Sequence, residues 1–273
     1  LNGNTITCFI DGSSDGTDTS GGEIGTLANG SELKIADSDH TADYHFSGII
    51  DEVRLMHIAL SSTWISTEHN EQNANATFYS LGGIEYYGAS NNYIHEYISK
   101  FNNRNWYDLQ WKYRINCYVA AAVVDSNQTG FPVTIRLSDL DSTHEFWLNT
   151  ASDGKDLRAT ESDGITEVPI EVVYIDKPNR KCQITIKLDL TSSVDNYYYI
   201  YYGNSDATAY LVGAQYGRNA VWSEESAAGI YPLVEPASDF PPEFKNSTGG
   251  VGGTVIGEII MDMETEVQIQ IFL

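Results

Sequence analysis

Between Phe131 and Asn204 apolar and polar residues alternate with a period of two, and few architectures accept such a pattern. In QITIKLDL, Ile184, Ile186, Leu188 and Leu190 share one face, with Gln183, Thr185, Lys187 and Asp189 on the other. In VPIEVVYI, Val168, Ile170, Val172 and Tyr174 fall on one side. In NYYYIYYGN, Tyr197, Tyr199 and Tyr201 face one way and Tyr198 and Tyr202 the other. Asp153-Gly154 and Asp163-Gly164 sit where the chain must turn, because glycine accepts positive φ without steric cost. The expectation is a succession of half-buried antiparallel strands with one wet face per sheet.

Length and charge bound the rest. A chain of 273 residues holds one large or two ordinary domains. No apolar run reaches the ~18–20 residues of a membrane helix. The formal net charge of −23 repels nucleic acid, and no basic patch offsets it. It favours solubility, divalent cations and a setting outside the cytosol. The chain opens on Leu1 and shows no signal peptide, as expected of a processed product or a window cut from a longer protein. Cys8, Cys117 and Cys182 match no zinc or redox spacing. Cys117 and Cys182 read as strand residues, either buried thiols or a pair.

Two resemblances refine this picture. WKYRI (Trp111 to Ile115), FPVTIRL, DGKDLRATESDGITEVPIEV and YYGN resemble an uncharacterised β-sandwich family of bacterial and archaeal surface proteins. That family often sits beside laminin-G-like (concanavalin-A-like) domains and has no established activity, so the resemblance implies fold and setting alone. Phe46, Gly48, Ile50, Asp51, Glu52, Val53, Arg54, Leu60 and Ser61 resemble the C-terminal portion of a laminin-G-like jelly roll, followed by a helix near Thr63. Ser61 or Ser62 would cap that helix, and Trp64 and Ile65 would anchor it. The stretch from Arg218 to Gly250 resembles the start of such a domain, although Lys245-Asn246-Ser247-Thr248 lacks the usual acidic residue.

The implied fold is all-β: two antiparallel β-sandwich (jelly-roll) units, one laminin-G-like and split between the two ends of the chain. Residues 1–81 form the C-terminal portion of the jelly roll, 82–105 a linker, 106–206 the central β-sandwich and 207–273 the N-terminal portion of the jelly roll. A half sandwich exposes unpaired edges and half a core, so something must complete it. Closure within one chain, head-to-tail strand exchange between chains, and completion by tandem neighbours all meet that need.

Enzyme signatures are absent: no Gly-x-Ser-x-Gly elbow, no phosphate-binding loop, no His-Glu-x-x-His helix. The six histidines form no cluster with ligand spacing. Calcium is the one cofactor with a case, since it needs several oxygens from a loop that can wrap. Asp11, Asp15 and Asp18 lie in one Gly/Ser-rich stretch, and Asp37, Asp39 and Asp43 in another. Asp153, Asp156 and Asp163 read instead as turn-stabilising residues. Tyr197, Tyr199 and Tyr201 could stack on sugar rings if their row is exposed. Trp106, Trp111, Trp147 and Trp222 read as core. Asn29, Asn75, Asn127 and Asn246 each begin an Asn-x-Ser/Thr sequon, a glycosylation site where the host performs that chemistry.

The reading is a non-enzymatic, extracellular structural or adhesive module of a surface fibre, filament, sheath or virion appendage, with self-association or tandem modules as partners. The alternative is a glycan-binding module.

Overall fold

A computed structural model of the protein describes residues 5–18, 53–56, 58–87, 105–222, 227–231, 243–244 and 253–254. Its elements run β1 (Ile6–Ile10), β2 (Ser13–Asp18), β3 (Val53–Met56), α1 (Ser62–Asn73), α2 (Asn75–Phe78), β4 (Tyr79–Tyr86) and β5 (Tyr113–Val119). Then come β6 (Gln128–Arg136), α3 (Glu145–Asn149), β7 (Arg158–Glu161), β8 (Glu167–Val168), β9 (Ile170–Asp176), β10 (Lys181–Leu190) and β11 (Asn196–Tyr202). The last are α4 (Arg218–Trp222), β12 (Ala227–Tyr231), β13 (Glu243–Phe244) and β14 (Gly253–Thr254). Strands dominate, and every described pairing is antiparallel.

The chain divides into two compact units: residues 60–225, and a second unit assembled from residues 1–59 and 226–273. In the second unit β12 pairs with β3, Tyr231 opposite Val53 and Ala227 opposite Met56. Strands that flank the 60–225 unit in the sequence therefore pair within one chain. The same unit holds the β13–β14 pair and a hairpin of β1 and β2. Asp11 (φ 50°) and Gly12 (φ 71°) form the hairpin's two-residue turn, because a turn with both central residues at positive φ matches strand twist. The Gly/Ser-rich stretch that holds Asp15 and Asp18 is thus a strand as far as Asp18, and Asp11-Gly12 is the turn before it.

The 60–225 unit is a sandwich of two sheets, ordered β6-β10-β9 and β4-β5-β11-β7-β8. Their inward rows share one core. Ile184, Ile186, Leu188 and Leu190 of β10 are each no more than 3% exposed, and Tyr198, Ile200 and Tyr202 of β11 are fully buried. Cys117 of β5 and Cys182 of β10 are free, buried thiols, and burial pushes Cys182 up to about 12. Residues Gly82 to Tyr86, expected in a linker, belong to β4 and pair with β5.

The expectation of a wet face on each sheet fails for the three-stranded one. Thr185 and Lys187, on its outward side, are buried. Lys187 Nζ donates to the Ala220 carbonyl at 2.5 Å and Trp222 Nε1 donates to Glu171 Oε2 at 2.8 Å, so α4 lies over that face. Helix α1 closes the β6 edge. Ser61 caps it by accepting from Trp64 N at 3.1 Å, and the Trp64 ring lies 4.9 Å from that of Phe131. Glu71 accepts from the Thr134 N–H and the Tyr79 hydroxyl accepts from Arg136 N, so two edge donors find partners. An edge left bare is a template for pairing with another chain.

Helix α3 carries a titratable cap. His144 Nδ1 accepts from Phe146 N at 3.1 Å, which requires the neutral ring. Burial lowers the His144 pKa, while Asp141 and Glu145 oppose the shift. A depressed folded-state pKa means that the stabilisation is full above the unfolded value of about 6.5 and is lost as pH falls through the folded value. Asn caps without titrating. Melting temperatures of the wild type and His144→Asn should lie closest at acidic pH and diverge, with the wild type gaining, as pH rises toward about 6.5, above which the gap stays constant. Parallel curves would contradict the assignment.

Candidate functional site

The outward face of the five-stranded sheet gathers the polar chemistry of the sandwich. Register places Glu85 (β4), Arg114 (β5), Tyr201 (β11) and Arg158 (β7) in one row across the strands. Asn116, Tyr199, Thr160 and Glu167 make the next row, and Ser80, Tyr118 and Tyr197 the third.

One half of this face is covered. Tyr201 is buried with Trp106 and Trp111, its hydroxyl donating to the Gly164 carbonyl at 2.8 Å. Arg114 donates from Nε and Nη2 to Glu85 Oε2 (2.8 and 2.5 Å). Its Nη1 donates to the Asn105 carbonyl (2.5 Å) and the Tyr201 hydroxyl (2.8 Å). The guanidinium also lies 3.8 Å from the centre of the Tyr199 ring. Burial alone would lower its pKa, but the bonds to Tyr201 and Glu85 hold it above the ordinary value. Arg158 donates to the Lys155, Leu157 and Thr208 carbonyls (3.0, 2.7 and 2.8 Å) and stands 4.1 Å from the Tyr210 ring centre. Glu167 accepts from the Tyr107 hydroxyl at 2.8 Å and from that of Tyr210, and its Oε1 lies 3.7 Å from Arg158 Nε. Burial, and then the bond to Glu167, raise the Tyr210 pKa. These groups tie the 105–111 and 203–210 segments to the sheet and are occupied by one another.

Asp156 holds the start of the 203–210 segment, and Asp163 holds the turn between β7 and β8. Asp156, 1% exposed, accepts from Ala151 N at 3.0 Å and Gly203 N at 2.7 Å. Asp163 accepts from Ile165 N and Thr166 N at 2.9 and 2.8 Å, and its pKa falls below the ordinary carboxylate value: burial works against this, and the Thr166 and Ile165 bonds prevail. Gly164, at φ 73°, has no room for a side chain, since a Cβ would stand 2.2 Å from the Asn105 carbonyl oxygen.

The expected tyrosine row is therefore graded. Tyr197 is 49% exposed, Tyr199 is half-buried beneath Arg114, and Tyr201 is sealed. The three rings form no continuous platform; the covering segment, whose long-range docking no local pattern announced, removes one end. Asp11, Asp15 and Asp18 are exposed on the β1–β2 hairpin. Asp18 lies opposite Ile6, roughly 15 Å along the strand from the Asp11 turn at ~3.3 Å per residue, so one ion cannot be shared by all three. Among the described residues no three His, Cys, Asp or Glu side chains cluster as a metal site. Asp37, Asp39 and Asp43 lie outside the described residues, as do Asn29 and Asn246. Asn75 opens α2, and Asn127 is exposed, its Oδ1 accepting from Ser192 N at 3.1 Å. The four tryptophans read as core are all buried.

The sequence model of the concanavalin A-like lectin/glucanases superfamily matches residues 1–66. This chain is similar to that superfamily over 66 of its 273 residues, in the region that begins the split unit. No curated protein and no solved structure matches the chain significantly. Fold and similarity together define a mostly-β protein of antiparallel sheets with a concanavalin A-like opening segment.

Arg114→Lys tests whether the covered half depends on the guanidinium fork. A lysine offers a point charge that cannot serve Glu85, Asn105 and Tyr201 together or stack on Tyr199. Denaturant titration should show a loss of about 2–4 kcal/mol. A change within about 0.5 kcal/mol, as at an ordinary surface site, would contradict the role.

Proposed function

We propose that the chain is a non-enzymatic structural and adhesive module of an extracellular surface protein, in which a central sandwich is carried within a laminin-G-like host unit. The observation that carries this reading is the β3–β12 pair, which joins the segments before and after residues 60–225 and leaves that unit as an insert between them. Such construction suits a modular spacer: each unit has its own sheets, and the loops at the sandwich ends are free to vary. The superfamily similarity of residues 1–66 supports a lectin-like or structural β module, and it covers glucanases as well as lectins. The non-enzymatic reading rests on the polar outward face, whose carboxylates and arginines are spent on one another.

An extracellular location fits the net charge of −23 and the absence, among the described residues, of any helix long and apolar enough to cross a membrane. Calcium belongs to the proposal through Asp37, Asp39 and Asp43, since the hairpin spreads Asp11, Asp15 and Asp18 apart. Closure within the chain favours tandem modules over strand exchange as the route to assembly.

Light scattering across a concentration series, with calcium and with chelator, tests this reading beside a reducing-sugar assay on a polysaccharide panel. A monodisperse monomer, a melting temperature raised by calcium and no released sugar are expected. A concentration-dependent ladder would refute closure, an unchanged melt would remove calcium, and catalytic sugar release would refute the non-enzymatic assignment.

A further inference from the structure

On the open half of the outward face, Asn116, Tyr118, Tyr197 and Tyr199 are polar or aromatic residues without charge. Tyr118 and Tyr197 face each other across β5 and β11, their ring centroids 5.5 Å apart and tilted by 39°. Tyr197 presents half its surface to solvent, and Tyr118, Asn116, Ser80 and Tyr199 are half-buried around it. Beside Asn116 the β4 strand bulges at Gly82 and Gly83. A Cβ on Gly82 would stand 2.6 Å from the Asn116 carbonyl oxygen, so the backbones approach closely where no side chain fills the space. The covered half rises next to this floor, with Trp106 edge-on to Tyr201 at 5.3 Å and Tyr87 5.7 Å from Trp106. The result is a step: an aromatic and amide floor against an aromatic wall.

We propose that this step, floored by Asn116, Tyr118, Tyr197 and Tyr199, binds the uncharged sugar rings of a glycan. Tyrosine rings offer the apolar face that a pyranose C–H face packs on, and their hydroxyls and the Asn116 amide offer donors and acceptors for sugar hydroxyls. These four residues carry no ionised side chain. Arg114, which backs one side of Tyr199, is already shared among Glu85, Asn105 and Tyr201. An anionic glycan would approach a chain of net charge −23 and gain no cation from the floor residues, so charge selects a neutral one. A membrane or nucleic-acid partner fails on the same ground. The site lies in the central sandwich, apart from the residues similar to the lectin superfamily, and goes beyond the structural reading, which stands if the site fails.

The test is titration of the full chain with a panel of neutral hexasaccharides (glucose, mannose, galactose, xylose and N-acetylglucosamine) and their uronate-containing counterparts, read by tyrosine fluorescence and saturation-transfer NMR. Tyr197→Ala removes an exposed ring, and Asn116→Leu removes the amide while keeping its bulk; circular dichroism checks each fold. Binding by at least one neutral series is expected, weakened about tenfold or more in each folded variant and for uronates. No binding across the panel, preference for uronates, or unchanged affinity in both variants would overturn the proposal. Should one variant fail to fold, the other carries the comparison. Sugar-dependent line broadening confined to tyrosine resonances of the wild-type chain would support the same site, and tyrosine resonances untouched by a bound sugar would overturn it.

Discussion

The inward rows of β10 and β11 meet in one buried core, and the rest of the sandwich follows from protecting it. Ile184, Ile186, Leu188 and Leu190 come from one sheet, and Tyr198, Ile200 and Tyr202 from the other. Burial of each such side chain stabilises the fold by about 1.5–3 kcal/mol. Once β10 and β11 are central strands, the outer strands need closing, and the chain supplies the means locally. Helix α1 brings Glu71 and Trp64 to β6, α4 lays Trp222 against β9, and Tyr79 caps Arg136 N. None of these closures is apolar alone; each places a polar group on a backbone or side-chain donor that would otherwise be stranded.

The outward face of the larger sheet shows the same rule under greater electrostatic cost. Arg114 and Arg158 are both buried, and an unpaired buried guanidinium is untenable. Each is therefore surrounded: carbonyls of the covering segments take part of the fork, Glu85 and Glu167 supply charge, and tyrosine rings pack against the planes. Loop segments 105–111 and 203–210 are held by this arrangement rather than by regular secondary structure. Where the covering ends, Tyr197 is left at the surface, and the face changes from structural to available.

How much of this the sequence disclosed depends on whether the signal was local. Period-two alternation identified both faces of β10 and β11, because burial on a pleated strand repeats every second residue. The Ser61 cap, the Asp-Gly turns and the core tryptophans were also legible, each being a matter of a few neighbouring residues. The burial of Lys187 and Tyr201 was not, because it depends on α4 and on the 105–111 segment arriving from far along the chain. Nor was the β1–β2 hairpin, where a run of Gly, Ser and Asp with no apolar face conceals a strand behind its turn. For the site, Tyr197 and Tyr199 were named from the row alone. Asn116 and the Gly82-Gly83 bulge were missed, for they become neighbours only through the β4–β5 register.

The β3–β12 pair places strands from either side of the 60–225 unit in one two-stranded sheet within one chain. Val53 and Tyr231 are register partners, so their Cα atoms lie about 4.5–5.5 Å apart, within disulfide reach. The most direct measurement is a Val53→Cys/Tyr231→Cys double substitution in a Cys8→Ser background, oxidised at low protein concentration and analysed by non-reducing electrophoresis and peptide mapping. Closure within the chain predicts a cross-linked monomer. Disulfide-linked dimers and longer ladders, with no internal link, would show that the split unit is completed between chains.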